Sequence, residues 1–218
     1  MLPHQHDDLN LAGHKLESIY DSDLPRLCEA DEKKIREQLA GKSKKNRAVV
    51  VPDVNTMRWH HAREEFLSKK LLHRDFSIKG AIVTGEDGRT AWCVWTHLYR
   101  DKIDRDGFPM GDLCVLRLVY DEKNPNSEPM VKILFQAAQR EAAASKMLDV
   151  HVWNPSDLVV KVGRDIAAED SKGGHPKEVL VHREEESIPA LLWLGHIADD
   201  SSADVEVEWL ANEKFAWC

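Results

Sequence analysis

The chain has 218 residues, a formal net charge of −8, 42% hydrophobic and 31% charged residues. That balance belongs to an ordinary globular protein with one real core. No uncharged apolar stretch reaches the ~18 residues a membrane span needs. The opening residues MLPHQHDDLN show no basic-then-apolar leader, so a cytoplasmic location is expected. Four cysteines at 28, 93, 114 and 218 form no CxxC pair, which excludes a zinc cluster and a disulfide framework. Residues 161–218 hold thirteen acids against six bases, a balance of −7. An acidic third argues against a nucleic-acid partner.

Residues 1–20 are polar and aperiodic and read as a flexible lead-in. Asp21, Ser22 and Asp23 offer N-caps for a helix with Pro25 just inside it and Leu24, Leu27, Cys28, Ile35 and Leu39 near one face; Gly41 ends it. Lys42, Lys44, Lys45 and Arg47 read as a loop, and Ala48–Val51 is too short an apolar run to classify. Asp53 or Asn55 caps a second helix reaching about Leu72. The segment GEDG between Ala81–Thr84 and Thr90–Leu98 predicts a hairpin. A polar loop is expected at 100–112, then a strand over LCVLRLVY, residues 113–120. Met130–Met147 reads as an Ala-rich helix, and Leu148–Trp153 as a buried strand. Ser156 or Asp157 caps a helix to about Ala168. Lys177–Arg183, Ala190–Trp193 and Val205–Leu210 are strand-like.

A hairpin followed by strand, helix, strand predicts an α/β fold. Its mixed sheet would carry helices on both faces, with 113–120 and 148–153 as adjacent parallel strands. Trp92 and Trp95 have opposite parity on one strand, which also calls for cover on both faces. Cys93 and Cys114 read as buried, inert thiols.

The strings RWHHAREEF, KGAIV, WCVWTHLY, LRLV, AAQREAA, VHVWNP, REEESIPALLW and VEWLANEKFAWC occur in this order. Together they resemble the C-terminal half of the fungal lysine N-acetyltransferase family. The resemblance implies a GNAT-like three-layer domain over residues 21–218, acetyl-CoA as co-substrate and free L-lysine, or another small amine, as acceptor. It further implies an N-terminal GNAT half, in cis or in trans, that carries the acetyl-CoA site.

A GNAT pyrophosphate site uses a glycine-rich connection between strand and helix, so that backbone N–H groups can approach the phosphates. Here the connection is DEKNPNSEP. It has no glycine, two prolines without N–H donors, and the acids Asp121, Glu122 and Glu128 against the single base Lys123. No cofactor is therefore expected on this chain alone, and no catalytic residue is assigned.

Candidate substrate-binding residues are Trp59, His60 and Glu64, which would line a cleft, with Glu65 beside them. Glu185, flanked by Arg183, Glu184 and Glu186, is a candidate partner for a lysine ammonium. His61 and Glu65 are spaced as one helical face, but the pattern is not HExxH, and a His–Glu contact without metal is expected. No Ser/His/acid nucleophile arrangement is visible. The reading is a domain that contributes structure or substrate recognition and is not catalytic alone. One alternative is a stand-alone acyltransferase with a non-standard donor site, using Tyr99 or Tyr120 as acid and Glu65 or a water as base. The other is an acidic protein-interaction module.

Overall fold

The computed structural model describes residues 13–43, 45–105, 107–170, 180–181 and 207–217. Its elements are β1 (Lys15–Ile19), α1 (Leu24–Ala40), β2 (Asn46–Ala48), α2 (Val54–Leu72), β3 (Gly80–Thr84), β4 (Thr90–Ile103), β5 (Pro109–Val119), α3 (Ser127–Ala144), β6 (Val150–Val152), α4 (Asp157–Asp170) and β7 (Val207–Trp209). Strands β1, β3, β4, β5 and β6 form one sheet in that order, while β2 and β7 form a small parallel pair. Three pairings in the main sheet are antiparallel, and β5–β6 is parallel. The parallel pair is joined through α3, as the strand–helix–strand order predicts. No described helix is long and apolar enough to cross a membrane.

Each sheet face is covered. Trp95, Leu113, Val115, Leu134, Ala138, Val162 and Ile166 belong to the core beneath α3 and α4. Trp92, Val94, Leu116, Leu24, Cys28, Met57 and Phe215 belong to the core on the α1–α2 side. The two tryptophans of β4 thus face opposite layers, as their parity requires.

Several boundaries differ from the sequence reading. Residues 15–19 are not lead-in but a strand, paired from Lys15↔Thr84 to Ile19↔Gly80. Its two apolar residues serve different layers: Leu16 packs on the α3 side and Ile19 on the α1–α2 side. Their three-residue spacing hides the strand period. Residues 1–12 lie outside the described residues. The polar stretch 100–112 is mostly strand, because β4 and β5 continue as a two-stranded ribbon to Ile103↔Pro109. Both nitrogens of the Arg100 fork donate to Asp112 at 2.7 Å across that ribbon. Charge at these positions therefore marks a cross-strand ion pair.

α2 starts where Asp53 accepts from the Thr56 amide at 2.7 Å, and His73 at φ 52° closes it. α3 begins three residues before Met130, since Ser127 Oγ donates to Asp121 O at 2.5 Å and fixes the first turn. Arg47 lies in β2 rather than in a loop and meets its cross-strand neighbour Glu208 of β7 at 2.7 Å. The expected strands at 177–183 and 190–193 lie outside the described residues, apart from Leu180 and Val181.

Candidate functional site: where the sheet ladder breaks

The hydrogen-bond ladder of the sheet fails in two places, and each failure gathers polar side chains. β3 begins only at Gly80, opposite Val94. Beyond that point the β3-side edge of β4 needs other partners. α2 and the segment after it supply them. His61 Nε2 donates to Trp95 O at 3.0 Å, Lys79 O accepts the Trp95 amide at 2.9 Å, and Glu64 Oε2 accepts the His97 amide at 2.7 Å.

Glu64 is then saturated. Its Oε2 also accepts from His97 Nδ1 at 2.9 Å and Thr96 Oγ1 at 3.2 Å, and its Oε1 accepts from Lys79 Nζ at 2.7 Å. A carboxylate offers about four acceptor sites. Burial works against its charge, yet His97 and Lys79 outweigh it and hold the carboxyl at about 2. On its far side His97 Nε2 lies 3.2 Å from Glu141 Oε1 and 3.1 Å from Ser145 Oγ. Burial opposes its charge too, and Glu141 and Glu64 still keep its pKa above the usual value. The Phe76 ring stacks on the imidazole at 3.9 Å between centroids.

Ser145, His97 and Glu64 thus form a line that the sequence did not disclose. A nucleophilic serine needs a neutral imidazole that accepts its proton. This imidazole lies between two carboxylates with both nitrogens donating, and Ser145 Oγ donates to Glu141 O at 2.5 Å. The line is a buried ion cluster that seals a strand edge.

The second failure lies between β5 and β6. They pair only from Leu113↔Val150 to Val115↔Val152. At Leu116 a bulge shifts the register of β5 on β4, and the two parallel strands part. In open α/β sheets ligands bind in such a crevice, at the carboxyl ends of the strands. Here the chain's own residues 213–217 fill it. Glu213 Oε2 accepts the Leu118 amide at 2.7 Å, and its other oxygen accepts from Arg117 Nη1. Arg117 is also bidentate to Asp31, at 2.8 and 2.9 Å. Burial raises the Glu213 carboxyl despite Arg117 and the Leu118 amide, which pull it down. Phe215 is wholly buried against Met57 and Leu116, and its carbonyl meets His60 Nε2 at 3.0 Å. The Lys214 ammonium lies 4.8 Å from the centre of the Trp153 ring.

The connection from β5 to α3 is also satisfied from within. The Asn124 amide donates to Asp121 O at 2.9 Å, Lys123 N to Asp121 Oδ1 at 3.0 Å, Asn126 N to Asn124 Oδ1 at 3.0 Å and Ser127 N to Asn124 O at 3.0 Å. With Pro125 among them and Pro129 just after, neither offering an N–H, these groups do not fit a pyrophosphate.

The sequence-predicted residues do not converge on one cleft. Trp59 is half exposed and meets the His60 ring edge-on at 4.9 Å. His60 turns to Phe215, Glu64 to His97, and the exposed Glu65 to Lys69 instead of His61. Glu185 lies outside the described residues, as do Arg183, Glu184 and Glu186. Among the described residues the buried Tyr99 hydroxyl has no partner and is pushed far up by burial, while Tyr120 hydrogen-bonds Ser156 at 2.6 Å. Burial lifts the Cys93 thiol to about 12 and that of Cys114 to about 11, so both are inert at neutral pH. Asp112, Asp149 and His151 gather within 4.8 Å, but Arg100 takes both oxygens of Asp112. The residues that build the two breaks, Asp31, His97, Arg117, Glu141 and Glu213, were missed. One signal was available: an arginine inside LCVLRLV cannot be buried without a carboxylate.

A family model described as the LYC1 GNAT-like C-terminal domain matches residues 2–218. The chain belongs to that family. No curated protein matches it. Among solved structures it is similar to a glucosamine-6-phosphate N-acetyltransferase from Arabidopsis thaliana, at 11% identity and a TM-score of 0.37, covering 79% of this chain and 98% of the other. It is also similar to the aminoglycoside acetyltransferase meta-AAC0020 from an uncultured soil metagenomic sample, at 14% identity, a TM-score of 0.36 and coverage of 80% and 96%. A ribosomal-protein-alanine N-acetyltransferase from Brucella melitensis gives 14%, 0.37, 78% and 99%. Scores this low say nothing of a substrate. The family's GNAT-like description agrees with the mixed sheet covered on both faces.

Proposed function

We propose that this domain is the non-catalytic C-terminal part of an acetyl-CoA-dependent N-acetyltransferase acting on free L-lysine. In this reading an upstream GNAT half, in cis or in trans, holds acetyl-CoA. The present domain supplies structure and substrate-side surface. The observation that carries the reading is the filled crevice: Glu213 takes the Leu118 amide. The internally bonded 121–127 connection supports it, since a pyrophosphate would find those amides engaged. The acceptor and the fungal setting rest on the eight strings quoted above.

Calorimetric titration of the purified chain with acetyl-CoA tests the reading. No heat of binding is expected up to high micromolar concentrations. A micromolar dissociation constant, or lysine-dependent release of coenzyme A, would instead favour a stand-alone acyltransferase.

A further inference from the structure

Two buried donors without a hydrogen-bond partner among the described residues flank the Phe76–His97 ring pair: Arg74 Nε and the Tyr99 hydroxyl. Tyr99 is 8% exposed and belongs to the core beneath α3. His97 and Tyr99 are two residues apart on β4, so their side chains leave one face of the sheet about 7 Å apart. The Phe76 ring that stacks on His97 has the Arg74 guanidinium 5.2 Å from its centre. Burial and Glu64 push the Tyr99 hydroxyl up, while the charge of Arg74 pulls it down. The hydroxyl thus stays protonated at neutral pH and lies within the field of the guanidinium.

The charges around this pair do not cancel. Lys79 and the protonated His97 are matched by Glu64 and Glu141. Asp75, next to Arg74, pairs with Lys69. Among the described residues Arg74 has no ion-pair partner. The face of Phe76 attracts its charge but gives the Nε–H no acceptor. A buried donor left empty is costly, more so on a charged group. One chemical group answers the surplus charge and both donors at once. A carboxylate is negative, accepts only, and offers two oxygens, one to a guanidinium N–H and one to a phenol.

We propose that the Arg74 Nε–H and the Tyr99 hydroxyl are the two donors of a binding site for a small-molecule carboxylate. Arg74 is only half-buried, so the site meets solvent on that side. The site itself stands on the two donors and the charge count. That its carboxylate is the one carried by the free amino-acid acceptor rests on the function proposed above.

The test titrates the purified chain with L-lysine and with cadaverine, the same diamine without its carboxylate, following amide chemical shifts. L-Lysine should bind and cadaverine should not, and acetate should compete with L-lysine. Arg74→Gln should weaken L-lysine binding about 10-fold or more, and Tyr99→Phe about 5-fold, the loss of one hydrogen bond to a charged group in each case. Tyr99→Phe also removes a hydroxyl that has no partner in the empty site. Its ligand-free melting temperature should therefore equal or exceed that of wild type, which a structural role for the hydroxyl would not allow. Equal binding of L-lysine and cadaverine, or L-lysine binding that neither variant weakens, would overturn the site and leave the proposed function standing. No response of wild type to L-lysine or acetate, with Tyr99→Phe less stable than wild type, would also overturn it and assign the donors to an internal water. Acetate binding that both variants weaken, without any response to L-lysine, would keep the carboxylate site and overturn its assignment to the acceptor.

Discussion

Glu64 and Glu213 perform the same task at two points of the sheet. Each accepts, at 2.7 Å, a backbone N–H from a strand that its neighbour has left. Glu64 does so for β4 where β3 stops, and Glu213 for β5 where β6 turns away. An unpaired buried amide costs free energy, and a carboxylate from a distant segment is the strongest neutral-pH acceptor available. The sheet thereby tolerates two ladder breaks with an acceptor for the exposed amide at each.

Removing the second acceptor should be expensive. Glu213→Ala leaves the Leu118 amide and one arm of the Arg117 guanidinium without a partner. A loss of about 3 kcal/mol or more is expected, from the usual cost of breaking a buried pair. Glu213→Gln keeps a carbonyl for the amide and should lose less. Urea unfolding of the two variants decides it, and an alanine variant within 1 kcal/mol of wild type would refute the role given to Glu213.

His61 makes the fold sensitive to acid. Burial, with Lys79 adding to it, brings its pKa down to about 4 from an ordinary 6.5. The unfolded chain therefore takes up this proton first as pH falls. The stabilising contribution is complete above pH 6.5 and lost progressively towards pH 4, on the order of 3 kcal/mol. His61→Gln can still donate to Trp95 O but does not titrate. Its stability should be flatter between pH 6.5 and 4, whereas an unchanged slope would place the effect on other groups.

Ser145 should be chemically silent. A serine-directed fluorophosphonate should not label the native chain, because His97 is held protonated and the hydroxyl is engaged by the helix. Ser145→Ala should cost about 1 kcal/mol, one ordinary hydrogen bond. The raised pKa of His97 acts in the opposite sense to His61: its contribution is present below pH 6.5 and lost as pH rises through the folded value. Labelling at Ser145 would show that the imidazole is neutral and would reopen a nucleophilic reading.

What could be read from the sequence follows the range of the interaction. The hairpin at GEDG, α1 with its capping region and the parallel order of the strands around α3 rest on local periods and turn chemistry, and they stand where expected; the strand expected at 148–153 is shorter, Val150–Val152, and half-buried rather than buried, with Leu148 half exposed. Leu16 and Ile19 of β1 defeated the same method, since each serves a different layer. The candidate site was harder. Glu64 was singled out as a charge on a helix, but its partner His97 lies 33 residues away, and Glu213 lies 96 from Arg117. Spacing within a helix ranks residues by face. It cannot say which remote strand edge a carboxylate will reach.

The segment that fills the crevice also sets the order in which the protein can be built. Phe215 completes the core between α1–α2 and the sheet, and Glu213 supplies the second acceptor for the Arg117 guanidinium. Neither group exists until synthesis has passed residue 213. A nascent chain stalled at α4 would hold all five strands of the main sheet yet expose the α1–α2 core and a guanidinium with only Asp31 to meet it. Such long-range closure slows folding and leaves apolar surface open in the meantime. Closing this core therefore depends on residues far in sequence from most of what they stabilise.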